Sequence, residues 1–115
     1  MKGVATPMLK RLSLATAAGA AMLFAVSYAT AARPATVDIK DFKYGPPRLT
    51  VAVGTRVTWT NHDEEPHTVA ATGGSFHSPG MGTNGTYSFT FTTAGTFDYI
   101  CSIHPFMHGT VVVTP

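Results

Sequence analysis

Apolar and polar residues alternate along six segments that follow residue 35, and this period of two is typical of β-strands with one buried face. The segments are TVDIKDF, RLTVAV, RVTWTN, TYSFTFT, TFDYIC and GTVVVTP. Stretches rich in glycine, proline and asparagine separate them, among them YGPP, TNHDEEP and SPGMGTNG, and these favour turns. No segment after residue 31 has a helical period. The pattern predicts an all-β fold, a Greek-key β-sandwich or barrel of about seven to eight strands.

The first 31 residues have the order of a secretory signal: a basic start, an uncharged apolar run and the small residues of ATAAR. We predict cleavage after Ala31, with Ala32 as the alternative, so that residues 32–115 form a single exported, periplasmic domain. An uncleaved membrane anchor is the other interpretation, because the apolar run 12–32 is just long enough to span a bilayer. The A-x-A cleavage site favours the removable signal.

Removing this signal changes the charge of the protein. The whole chain carries +2, but the signal holds three basic and no acidic residues, so five basic and six acidic residues remain, a net charge of −1. No basic patch that would bind nucleic acid is left. A domain this small buries a modest core, and such exported domains usually gain stability from disulfides or a metal. One cysteine cannot form an internal disulfide, so a metal is the expected occupant of the thiol.

The stretch CSIHPFMHG places Cys101, His104 and Met107 at C-x2-H-x2-M spacing on one short loop. Thiolate and thioether are soft donors and imidazole is borderline, a set that selects copper rather than calcium, magnesium or manganese. The trigonal copper site with two histidines, one cysteine and a weak axial methionine needs one more histidine.

Three histidines upstream of the loop are candidates for the missing donor: His62, His67 and His77. His67 is favoured because it stands between Pro66 and the start of a predicted strand, which gives its side chain a fixed direction. His62 lies in an acidic turn and His77 in a loop rich in glycine, serine and proline. Histidines in such loops are usually solvated.

These motifs resemble those of the cupredoxins, the type 1 blue copper proteins, and within that family the amicyanins. The resemblance rests on EEPHTV and on YICSIHPFMHGTVVV, whose ligand loop is as short as that of amicyanins, and it extends over nearly all of residues 36–115. It implies one copper ion per chain, a one-electron carrier rather than an enzyme, and a ligand set carried over by position: His67, Cys101, His104 and Met107.

The resemblance also implies partners. Redox proteins are expected, with a dehydrogenase as electron donor and a cytochrome-type protein as acceptor, and the carrier is expected to be a monomer without a stable membrane anchor. Two features depart from the amicyanin pattern, a shorter N-terminus and His108 after the methionine, and both bear on whether methylamine dehydrogenase is a partner. The alternative function is a periplasmic copper carrier or delivery protein without electron transfer.

Overall fold

The computed structural model describes Gly3 and residues 33–115. The predicted signal and its cleavage site after Ala31 lie outside the described residues, apart from Gly3. In the described part of the chain, no helix has the length and apolar character needed to cross a membrane.

Eight strands make up the described domain, and no helix occurs within it, which confirms the all-β prediction. The strands are β1 (Ala35–Lys40), β2 (Lys43–Gly45), β3 (Arg48–Ala52), β4 (Arg56–Asn61), β5 (Ala70–Ala71), β6 (Thr86–Thr90), β7 (Gly95–Ile100) and β8 (His108–Thr114). The six alternating segments of the sequence match the six longer strands. The short strand β2 was not predicted, because three residues are too few to show a period. The strand expected to start at His67 is reduced to β5, Ala70–Ala71, and His67 itself forms an isolated bridge with Met81.

Two four-stranded sheets form the fold, with strand orders β2-β1-β4-β6 and β3-β8-β7-β5. The pairs β1–β4 and β3–β8 are parallel and all other pairs are antiparallel. Parallel neighbours cannot be joined by a tight hairpin, so the chain passes between the sheets to connect them. Each sheet of the sandwich is therefore mixed, with both parallel and antiparallel pairs.

The core lies between the two sheets and takes alternate residues from their strands. Val37 and Ile39 of β1, Trp59 of β4 and Val111 of β8 are all fully buried. The Trp59 ring contacts the Tyr99 ring of β7 edge-on, with the centroids 5.5 Å apart. Aromatic rings prefer this arrangement to a face-to-face stack. The contact joins the two sheets through their largest buried side chains.

The hairpin of β7 and β8 depends on one glycine. Tyr99 and Gly109 are directly paired across the two strands, and the Tyr99 ring lies over Gly109. A Cβ atom at Gly109 would come within 2.1 Å of the ring carbon that bears the hydroxyl. Only glycine leaves room for this buried ring, and the pair lies next to the last pair of the hairpin, two residues before Cys101.

We expect the substitution Gly109→Ala to lower the free energy of unfolding by about 3 kcal/mol, the upper end for an overpacked core, because the buried Tyr99 ring has no free space to move into. Gly73→Ala is the matched control, since its Cβ would meet no atom within 4 Å, and it should change stability by less than about 0.5 kcal/mol. Urea unfolding of both purified variants measures the difference. Equal stabilities would contradict the role of the Tyr99–Gly109 pair.

Candidate metal centre

The connection between β7 and β8 is a tight loop that carries three of the predicted ligands. The Cys101 N–H donates to the Met107 carbonyl at 3.2 Å, and the Met107 N–H donates to the His104 carbonyl at 2.9 Å. Cys101 and Met107 are buried, whereas His104 is half-buried. The hairpin therefore fixes both ends of the loop and directs its cysteine inward.

His67 reaches the same place from the segment between β4 and β5. Its backbone N–H donates to the Met81 carbonyl at 3.1 Å, and its carbonyl accepts from the Met81 N–H at 2.9 Å. The fully buried Asn61 side chain supports this segment, because its amide donates to the Met81 and Glu65 carbonyls, each at 2.9 Å. These bonds hold the His67 backbone without any contribution from a metal.

Three side-chain donor atoms converge at this point. The Nδ1 atoms of His67 and His104 are 3.2 Å apart, and they lie 3.9 and 3.8 Å from the Cys101 sulfur. A circle through the three atoms has a radius of about 2.1 Å, and metal–nitrogen and metal–thiolate bonds are about 2.0 to 2.3 Å long. One point thus lies at bonding distance from all three donors.

The Cys101 thiol lies among groups that favour its ionised form. Burial by itself raises its pKa, but the Thr68 and His104 backbone N–H groups and the imidazoles of His67 and His104 outweigh it and lower the pKa to about 6. The Thr68 N–H is 3.3 Å from the sulfur. The thiolate is the form that binds metal, so the protein prepares this ligand in advance.

Asp63 fixes the orientation of the His67 ring. Its Oδ2 atom lies 2.8 Å from His67 Nε2. An ionised carboxylate can only accept, so Nε2 carries a proton, and in the neutral imidazole Nδ1 then keeps the lone pair that faces the other donors. Burial raises the pKa of Asp63, but hydrogen bonds from the Phe42 and Asp41 backbone N–H groups and from His67 lower it overall. Such carboxylate–histidine pairs commonly orient metal-binding imidazoles.

The other histidines lie apart from these donors. His62 is exposed and bonds to Asp38 at 2.9 Å, and the exposed His77 forms a β-bridge with Ala70. His108 is the exposed first residue of β8. Among the described residues, His67, Cys101 and His104 are the group of histidine, cysteine and acidic side chains close enough to share one metal ion.

Sequence reasoning missed Asp63 and Thr68, which support the donors. Asp63 belongs to the acidic turn TNHDEEP, whose composition indicates solvent exposure. Its position four residues before His67 is the one local signal. In a loop, a spacing of four residues does not predict that two side chains are in contact. Thr68 directly follows a predicted ligand, which is the signal that could have identified it. With the buried thioether of Met107, two imidazoles and a thiolate form a donor set that fits copper.

Comparisons with known proteins show the family of the chain. The profile of the cupredoxin-like domain matches residues 13–113. The chain is 48% identical over 82 residues to an amicyanin of Paracoccus denitrificans, a match that covers 67% of this chain and 63% of that protein. It is 39% identical over 104 residues to amicyanin-alpha of Methylorubrum extorquens, covering 86% of this chain and 87% of the relative. The chain thus spans less than two thirds of the Paracoccus protein.

Solved amicyanin structures have the same fold. A Cu(I) form of one methionine-to-alanine variant superposes with a TM-score of 0.68 at 45% identity, covering 70% of this chain and 82% of that chain. A second Cu(I) variant of this type gives a TM-score of 0.67 at 44% identity, with the same two coverages. The profile match spans most of the sequence, and the relatives in sequence and the solved structures both agree with it. The chain belongs to the cupredoxin-like domain family and is similar, within it, to the amicyanins.

Proposed function

We propose that this chain is a type 1 copper protein that carries single electrons between redox partner proteins. One copper ion per chain would be held by His67, Cys101, His104 and Met107. The observation that carries the proposal is the convergence of two imidazole nitrogens and a thiolate sulfur on one point at bonding distance. When bound there, copper would supply a one-electron couple between Cu(II) and Cu(I).

The chain's own contribution is to hold the donors still. The backbone of His67 is bonded to Met81, and the ligand loop is closed by bonds between Cys101, His104 and Met107. Because these bonds do not involve the metal, the backbone that carries the donors is held by the protein itself. A frame of this kind limits the rearrangement that accompanies a change of oxidation state. The Thr68 N–H bond to the Cys101 sulfur is one of the contacts that would tune the charge on the thiolate.

His104 provides the route by which electrons would enter and leave. It is half-buried, and the side chains on either side of it in the loop, Ile103 and Phe106, are 47% and 68% exposed. An exposed apolar patch around a ligand suits brief docking to another protein. A dehydrogenase as donor and a cytochrome-type protein as acceptor are the partners we propose, and the role is that of a carrier rather than an enzyme.

Copper added to the purified chain should produce an intense blue thiolate-to-copper absorption band at one ion per chain, and a reductant should bleach it reversibly. Cys101→Ala should abolish the band, because the band requires the thiolate. Absorption titration with Cu(II) measures both. A wild-type chain that binds copper but stays pale would contradict the electron-carrier proposal and favour the copper delivery protein.

The choice of His67 as the second histidine ligand can be tested against the other upstream histidines. We expect His67→Ala to weaken copper binding by at least about tenfold, since even residues that only support ligands contribute this much, and to remove the blue band. His62→Ala and His77→Ala are matched controls, because both histidines are exposed and lie apart from the donors. Competition with a copper chelator gives the affinities. Equal affinity in the His67 variant and the controls would show that the ligand set is wrong.

We further propose that residues 1–31 direct export to the periplasm and are then removed. The expected product in the periplasmic fraction starts at Ala32, or at Arg33 if the alternative site is used. Mass spectrometry of the exported protein measures its N-terminus. Recovery of the whole chain in the membrane fraction would instead support the anchor.

A further inference from the structure

The turn that joins β1 to β2 has an unusual residue at its second central position. Lys40 and Lys43 are paired across the hairpin, and the two residues between them, Asp41 and Phe42, have φ angles of 53° and 57°. Two positive φ angles define a type I′ turn, whose second central position strongly prefers glycine. A bulky residue with positive φ is a genuine outlier, and such outliers cluster at functional sites.

Asp63 stabilises this conformation. Its Oδ1 atom accepts from the Asp41 N–H at 2.7 Å, and its Oδ2 atom accepts from the Phe42 N–H at 2.9 Å. The same Oδ2 atom lies 2.8 Å from His67 Nε2. One carboxylate therefore bonds both to the turn and to a ligand histidine, so the position of Phe42 is fixed relative to His67.

The Phe42 ring contacts both imidazoles of the site. Its centroid is 5.0 Å from that of His67 and 5.1 Å from that of His104, with interplanar angles of 84° and 86°. Both contacts are edge-to-face, a favourable geometry for aromatic pairs. The ring is 36% exposed, so it forms an outer wall of the site rather than part of the core.

His104 depends on this contact more than His67 does. His67 has the Asp63 carboxylate to orient it, whereas within residues 33–115 no hydrogen bond to His104 Nε2 is present. The Phe106 ring is also near His104, but its centroid is 6.1 Å away and the side chain is 68% exposed. The His67 ring lies at the same centroid distance from His104 as Phe42 does, 5.1 Å, and Phe42 contacts both imidazoles, so it is the side chain outside the ligand set that packs most closely against the His104 ring.

We propose that Phe42 is a positioning residue, which keeps both imidazole rings turned so that their Nδ1 atoms face the Cys101 sulfur, and that Asp63 maintains the turn that presents it. This inference rests on the proposed function, because it assigns the oriented rings to copper. A relaxed turn with glycine at this position would have no ring to hold the histidines.

Two substitutions separate positioning from stability. Phe42→Ala removes the ring and leaves a side chain in the left-handed conformation, whereas Phe42→Gly removes the ring and also relieves the turn. We expect both to release copper to a chelator about tenfold faster than wild type, as loss of a ligand-supporting contact typically does. The glycine variant should nevertheless unfold at a higher temperature than the alanine variant.

The controls use this chain's own residues. Phe42→Tyr should restore release to within about twofold of wild type, because the ring is kept. Val53→Ala removes an apolar side chain whose exposed fraction is close to that of Phe42, 38% against 36%. Val53 lies beyond the far end of β8, so this change should leave copper release unchanged. In the metal-free chain, NMR of labelled histidines should show broadened His104 ring signals in the alanine and glycine variants alone.

Two results would overturn the proposal: wild-type release rates with sharp His104 signals in both variants, or release rates that merely follow the unfolding temperatures. If the wild-type chain never develops the blue band, the proposed function fails by itself. The histidine signals of the metal-free chain then decide whether Phe42 orients the rings.

Discussion

Three donor atoms suited to one metal ion are held within 4 Å of one another in this fold. The two Nδ1 atoms are 3.2 Å apart, and the thiol of Cys101, whose pKa is lowered to about 6, lies beside both. When both imidazoles present their lone pairs, as metal binding requires, these lone pairs and the thiolate repel until a cation lies between them, and the low dielectric of a buried site strengthens that repulsion. The rest of the structure has to maintain this arrangement, and this requirement explains why so many polar contacts surround such a small site.

Thr68 connects the two segments that carry the ligands. Its N–H donates to the Cys101 sulfur at 3.3 Å, and its hydroxyl accepts from the Ser102 N–H at 2.7 Å. Its carbonyl accepts from the buried Tyr44 hydroxyl at 2.6 Å. Thr68 is therefore bonded to Cys101 and Ser102, the first two residues of the ligand loop, and to Tyr44 of β2. A displacement of either ligand segment would break several of these bonds at once, which is how the frame resists the repulsion between donors.

The sequence predicted the parts of this protein that depend on period and on donor chemistry. Alternation identified the six longer strands, and the C-x2-H-x2-M spacing placed Cys101 and His104 on one loop that the structure brings to His67. The short strand β2 escaped because its single buried residue, Tyr44, has no alternating neighbours. Asp63 and Phe42 escaped for a different reason. Their roles arise from a contact between two turns about twenty residues apart in the chain. The composition of the Asp63 turn shows only that it is acidic, and that of the Phe42 turn shows nothing unusual, so neither indicates the contact.

The two histidines of the site differ in burial and in hydrogen bonding, so the two sides of the site are not equivalent. His67 is fully buried and bonded to a carboxylate, which fixes the orientation of its imidazole. His104 is half-buried and lies against exposed aromatic side chains. The proposed electron transfer would require close approach of a partner, and the buried side of the site is closed by the core. The half-exposed histidine is therefore the side at which a partner can approach, while the buried one, with its carboxylate, anchors the site to the frame.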